Sequence, residues 1–294
     1  MDTALMVGRL LLGTLAIVMF GLGLSLRVED FRRLLHHPKA VIVALGLQLV
    51  GLPLACYGIV LAFGLSPAYA VGLMLLAAAP GGIAANLFSH LFGGSVAMNI
   101  SLTAANTVLS MVTMPFIANW SISRFGSSSQ VVPLQFGKMV EVIGVILVPV
   151  LLGMVVAARR ADFALRMQKP VKVFSAAVLG IVTLLAIGKE WSSLVVSFGQ
   201  LGPAVLTFNL VSLLSGYYVS RATGLAKPLA TAVSFEIGIH NVTLALFVAL
   251  SILQSYQAAL PAAVYSVVMY VTAPLFGLVV LRTNRHKKVV ALAT

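Results

Sequence analysis

Apolar runs of about twenty residues recur along the whole chain, separated by short connections that hold most of its charge. As a helix, a run of that length matches the ~30 Å hydrocarbon core of a bilayer. The pattern predicts nine spans, over residues 4–26, 39–63, 67–92, 95–119, 133–158, 170–190, 199–220, 228–252 and 257–281. Composition sharpens this picture: of 294 residues 60% are hydrophobic and only 9% charged, against about a quarter charged in soluble domains. The expected fold class is therefore an all-α polytopic membrane protein. Arg9 precedes an apolar stretch with no small-x-small cleavage site after Phe20, so the first run is expected to be a span and not a removed signal peptide.

Charge adds orientation. The formal net charge of +12 would suggest nucleic acid in a soluble chain. Here the basic residues sit in connections: Arg27, Arg32, Arg33 and Lys39; Arg159, Arg160, Arg166, Lys169 and Lys172; Arg221 and Lys227; and the tail residues Arg282, Arg285, Lys287 and Lys288. With nine spans all of these fall on one side, leaving little beyond Arg124 and Lys189 on the other. The positive-inside rule then places the N-terminus outside and the tail in the cytoplasm, where it meets anionic lipid. Trp120, Trp191, Tyr69 and Tyr256 fall near span ends, as an aromatic belt requires. His36 and His37 read as loop residues, and Lys138 with Glu141 as a helix-surface pair. Cys56 is the only cysteine, which excludes an intrachain disulfide.

Two spans do not read as continuous helices. The third contains Ala79-Pro80-Gly81-Gly82, followed by Asn86, Ser89 and His90; proline removes a backbone donor and paired glycines weaken a helix. The eighth contains Glu236, Gly238, His240 and Asn241, and Glu236 is its only acidic residue. A carboxylate in hydrocarbon costs roughly 2.5–3.5 kcal/mol on insertion scales, so it needs a partner, a proton or a cation. Taken singly, the first could be a proline kink and the second a protonated acid. If the chain divides after about residue 125, each is the second-last span of its half. Interrupted spans at matched positions point to an inverted-repeat transporter with its site at the bilayer midplane.

Broken helices offer free carbonyls at one half-helix end, suited to a small hard cation, and free amides at the other, suited to an anion. Side-chain oxygens occur nearby. Asn99 and Thr103 share one face of the fourth span, which also carries Ser101, Asn106 and Thr107, and Gln48 is the only amide of the second span. With Asn86 and Glu236 these form either a set of oxygen ligands or interhelical hydrogen bonds. There is no His-Glu-x-x-His, no pair of carboxylates in one span and no nucleophile beside a base, so an enzyme is not expected. No cofactor is expected either.

These stretches resemble the bile acid:sodium symporter family. The match is carried by Met19-Phe20-Gly21-Leu22-Gly23-Leu24 with Asp30-Phe31 and His37-Pro38, by Gln48 with Pro53, by Ala79-Pro80-Gly81-Gly82 through Asn86, and by Glu236-Ile237-Gly238-Ile239-His240-Asn241. The resemblance implies one transporter unit over 1–294, in the family's nine-span form, in a bacterial inner (cell) membrane. Spans near 4–26, 133–158 and 170–190 would form a panel, and the other six a core in which the two broken helices cross. It implies two sodium sites, the first from Asn86, Asn99, Thr103 and Glu236. The second would use Gln48, His240 and carbonyls near Glu236, Ile237 and Ile239. Substrate would sit near Gly82, Ile83 and Asn241. The implied function is sodium-coupled symport of a small organic anion, a pantoate-like or keto acid or a bile-acid-like steroid; proton-coupled or mixed coupling and a uniporter or channel are the alternatives. Ala85, Asn99 and His240 depart from the family pattern. Imidazole is a poor sodium ligand beside an amide oxygen and titrates near neutral pH, so His240 puts the stoichiometry in question.

Overall fold

A computed structural model of the chain describes residues 16–126, 136–167 and 191–293, with Gly13 and isolated positions between 170 and 188. The expected sixth span lies almost wholly outside the described residues, as do residues 4–12 of the first and the side chains of Lys138 and Glu141. Among the described residues the regular structure is helical, apart from one isolated bridge between Gly81 and His240. The described residues form an all-helical membrane protein. Its helices are α1 (Ala16–Ser25), α2 (Val28–Leu34), α3 (Pro38–Ala62), α4 (Pro67–Ala78), α5 (Ile83–Leu91), α6 (Val96–Phe125), α7 (Phe136–Arg159), α8 (Trp191–Ala222), α9 (Lys227–Gly238), α10 (Val242–Ile252) and α11 (Tyr256–Ala293). Four segments among the described residues are long and apolar enough to cross a membrane unbroken: α3, α6, Phe198–Ala222 of α8 and Tyr256–Leu281 of α11.

Prolines set several of the starts. Pro38, Pro67 and Pro228 occupy the first turn of α3, α4 and α9, where their missing N–H has no helical partner to lose. Pro53 lies inside α3 and cannot donate to Leu49. The ladder loosens there into a π-turn over Leu47–Gly51, and Gln48 turns inward, buried. The run expected to stop at 119 continues to Phe125, because nothing breaks it before Gly126. The run expected from 199 begins at Trp191.

The third and eighth apolar runs are each two half-helices, α4 with α5 and α9 with α10. Every residue from Ala68 to Ala78 of α4 is buried, so this half-helix is the centre of the molecule. It packs against α6 and α11, and so closely that a β-carbon on Gly72 would lie 2.1 Å from the Ala258 carbonyl oxygen. That position also corrects the expectation for Tyr69. Trp120 and Trp191 are exposed as a belt requires, but Tyr69 lies within the buried α4. His36 and His37 are exposed loop residues.

Candidate functional site

The two broken runs cross at their gaps. Ala79, held extended by the proline that follows it, ends α4. Gly82 N donates to Ile239 O at 2.6 Å and Asn241 N donates to Pro80 O at 2.8 Å, a minimal antiparallel pairing between the two gaps. Four half-helix ends therefore meet at one buried point.

Glu236, fully buried in α9, lies beside that point. Thr103 Oγ1 meets its Oε2 at 2.6 Å and Asn106 Nδ2 donates to its Oε1 at 2.9 Å. The Gly81 amide donates to the carboxylate as well. These donors are neutral. Among the described residues no three His, Cys, Asp or Glu side chains gather to hold a metal. The backbone of Gly81 comes so near that a β-carbon there would lie 2.3–2.6 Å from the carboxylate atoms. Gly81→Ala is expected to push the carboxylate off its donors and to flatten the sodium dependence of thermal stability. A wild-type sodium titration in that variant would show that the carboxylate's position is not what matters.

Helices α6 and α9 run side by side in register. Ser95 N donates to Pro228 O at 2.9 Å and Asn99 Nδ2 to Ala232 O at 2.8 Å, and Thr103 meets Glu236 one turn further on. Asn99 is thus beside the carboxylate's helix but a turn away from the carboxylate, and its Oδ1 is buried without a partner. Asn86 Oδ1 is likewise buried and unpartnered, while Ala85 supplies no oxygen. The structure brings Thr103 and Glu236 into contact. It adds Asn106, which the sequence reading noted as polar but did not place at the site.

The second group of expected residues gathers on the end of α4. Gln48 Nε2 donates to Ala77 O at 3.2 Å and Ala79 O at 2.9 Å, leaving Oε1 unpartnered. His240 Nδ1 also contacts Ala79 O, at 3.2 Å. A carbonyl only accepts, so Nδ1 carries the proton and the neutral ring keeps its lone pair on Nε2. That nitrogen is buried and unpartnered. The imidazole stacks on Phe208 at 5.4 Å and meets Tyr265 edge-on at 5.4 Å. The carbonyls of Glu236 and Ile237 lie in the last turn of α9, where no following helical amide reaches them. The Ile239 carbonyl already accepts from Gly82.

The Gly238 carbonyl is held by two side chains that sequence reasoning missed. Asn209 Nδ2 reaches it at 3.0 Å and the Tyr265 hydroxyl at 2.9 Å. Asn209 Nδ2 also lies 2.9 Å from the Tyr265 oxygen, and the Thr272 hydroxyl donates to Asn209 Oδ1. Gln48 to Ala77 and Asn209 to Gly238 span the same 29 residues. The two amides are themselves offset by the 161 residues that separate Ala79 from His240. Gly93 and Gln254, two of the positive-φ residues, have the same offset.

Of the expected substrate residues, Gly82 and Asn241 are at the crossing, and their amides are engaged by Ile239 and Pro80. Asn241 caps α10, its side chain accepting from Leu244 N at 3.1 Å. Ile83 opens α5; its side chain lies outside the described residues.

Comparison with known proteins decides the family. Residues 12–197 match the model of the sodium bile acid symporter family. The chain belongs to that family. Within it, the chain is similar to a probable sodium/metabolite cotransporter BASS1, chloroplastic, of Arabidopsis thaliana, at 28% identity over 86% of this chain and 62% of that one. It is 27% identical to the sodium-dependent transporter YocS of Bacillus subtilis (strain 168), over 86% of this chain and 77% of the relative. With a probable sodium/metabolite cotransporter BASS3, chloroplastic, of Oryza sativa subsp. japonica it shares 30% over 89% of this chain and 60% of the relative. The chain thus spans about three fifths of the length of these plant family members. Membership of a transporter family agrees with the absence of catalytic motifs in the sequence.

Proposed function

We propose that this chain is a secondary transporter that couples sodium to the symport of a small organic anion by alternating access. One observation carries the reading: a fully buried carboxylate, Glu236, lies at the crossing of two broken helices among neutral donors and unpartnered side-chain oxygens. Buried amide oxygens without partners cost about 1–3 kcal/mol each, and a sodium ion satisfies them. The first sodium takes Asn86, Asn99, Thr103 and Glu236. The second takes Gln48 Oε1 and the carbonyls of Glu236, Ile237 and Ile239, beside His240. The substrate carboxylate meets Gly82, Ile83 and Asn241 at the half-helix ends.

The equal offsets at Gln48 and Asn209, and the pairing of one gap with the other, support an inverted repeat. We assign α1 and α7 with the residues near 170–190 to a panel and the other spans to a core, nine in all, with the N-terminus outside and the tail in the cytoplasm of a bacterial cell. Support for the panel is the close approach of α1 to α7, where a β-carbon on Gly23 would lie 2.1 Å from the Val150 carbonyl oxygen. Coupling requires that sodium bind one state of the protein better than another, since equal affinity drives nothing. The test is a thermal-stability screen of purified protein against pantoate, 2-keto acids and cholate, in sodium and in choline. Stabilisation that requires sodium, followed by sodium-driven uptake of the same compound into proteoliposomes, is the expected result. Uptake that never concentrates substrate against its gradient would replace symport with a uniporter or channel.

Mixed sodium and proton coupling has its own observation in the free Nε2 of His240. A proton there would stand in for the second sodium, so one sodium fewer is bound per cycle and acid would lower the sodium needed for half-maximal uptake. The ring meets the ionisable Tyr265 on α11, and Glu236, four residues earlier on α9, would act in the opposite sense by losing its charge. His240→Gln leaves Glu236 in place. The expected result is that the acid-induced drop in sodium requirement disappears in His240→Gln; the same pH profile in both proteins removes the imidazole from coupling.

A further inference from the structure

Helix α6 treats its hydroxyls in two ways. Ser101 and Thr103 contact carbonyls one turn back in their own helix at 2.9 and 3.0 Å, and Ser121 and Ser123 each reach one at 2.8 Å. Between them, the hydroxyls of Thr107, Ser110 and Thr113 are buried with no partner, as is the Oδ1 of Asn106. Asn106, Thr107 and Ser110 are fully buried. Spacings of three and four place Asn106, Ser110 and Thr113 in one row on the helix, with Thr107 next to it. Pro115 adds a backbone oxygen. Lacking an N–H, it leaves the carbonyl of Met111, four residues earlier and buried, without its helical donor.

These oxygens begin at the carboxylate. Asn106 Nδ2 is bonded to Glu236; at about 1.5 Å per residue Ser110 lies ~6 Å further along the helix axis and Thr113 ~10 Å. The one basic residue of α6 is Arg124, close to its far end. Neutral oxygens of hydroxyl, amide and carbonyl type are the ligands of hard cations, and without a carboxylate of their own they hold an ion weakly enough to pass it on. We propose that Asn106, Thr107, Ser110 and the freed Met111 carbonyl form a relay site for sodium, through which the ion reaches and leaves Glu236. This rests on the sodium-coupled reading above. It assigns the polar row to conduction of the coupling ion, separate from the substrate residues at the half-helix ends.

The test uses Cys56, the only native cysteine, as an internal control. Cys56 is buried in α3. Silver ion is a monovalent cation that bonds thiols, so it reports where a small cation can go. In Ser110→Cys with Cys56→Ser, in membrane vesicles and chloride-free buffer, silver is expected to block the thiol. Sodium should slow that block about tenfold relative to choline, the change expected from competition worth one ordinary interaction. Wild-type Cys56 should stay free. A thiol at 110 that silver never reaches, a block indifferent to sodium, or equal reaction of Cys56 would each overturn the relay. A second variant, Thr107→Val with Ser110→Ala, is expected to slow exchange of bound radiolabelled sodium about tenfold. An unchanged exchange rate in folded variant also overturns it. If wild-type protein shows no sodium response at all, the coupling itself fails; a normal wild-type response with unaffected variants removes only the relay.

Discussion

Glu236→Gln abolishes sodium-dependent uptake and sodium-dependent stabilisation while folded protein remains in the membrane. The substitution keeps shape and one oxygen, so the Thr103 hydroxyl and the Gly81 amide retain an acceptor. Asn106 can turn its own oxygen toward the new amide, because that oxygen has no other partner. The packing beneath is apolar and unchanged: Phe235 stacks on Phe88 at 5.9 Å and on Phe92 at 5.7 Å, with Phe276 edge-on at 5.8 Å. What disappears is the charge. At an effective dielectric constant of 20 two unit charges 4 Å apart gain about 4 kcal/mol, close to a thousandfold in affinity. A loss of that size moves half-saturation out of any physiological range. Sodium titration of thermal stability, read beside the size-exclusion profile, measures it without knowledge of the substrate. Normal sodium-driven uptake by Glu236→Gln would remove Glu236 from the site.

The features of this site that were legible in the sequence are those with a local signal. Pro80-Gly81-Gly82 breaks a helix wherever it falls, and a single carboxylate in an apolar run announces a cost, so both interrupted spans were readable without coordinates. Which amide serves the carboxylate was not. Asn99, Thr103 and Asn106 share one side of α6, and spacing alone lets all three reach. The choice is made by the register of α9, a long-range property: Thr103 and Asn106 straddle Glu236, and Asn99 falls opposite Ala232. Tyr69 shows the same limit, since position near a span end suggests a belt, whereas the central place of α4 buries it. Asn209 did carry a signal. Apart from Gln200 at the start, it is the only amide of its apolar run, as Gln48 is of its own, and the reasoning that singled out one applies to the other.

Asn209 is therefore the second place where a single substitution should reach the ions. Asn209→Leu keeps the branched shape, with somewhat larger ends, but removes the donor to Gly238 O and Tyr265 and the acceptor for Thr272. Thr272 can fall back on the Val268 carbonyl, which it already meets at 2.9 Å, and Tyr265 still donates to Gly238. The cost in sodium-free stability should accordingly be about 1–3 kcal/mol, the size of one incompletely satisfied buried group. The cost to sodium should be larger. Gly238 ends α9 between the Ile237 and Ile239 carbonyls, and with only one of its two anchors the end of that half-helix can rotate those oxygens off the ion. Gln48→Leu should act alike on α4, leaving Ala79 with His240 alone, whereas Tyr265→Phe, which keeps the Asn209 bond, should be milder. The expected result is a sodium response lost in both leucine variants and kept in Tyr265→Phe. If Asn209→Leu loses stability equally with and without sodium, the amide is interhelical glue, and the matched offset of Gln48 and Asn209 describes the fold without describing the ion site.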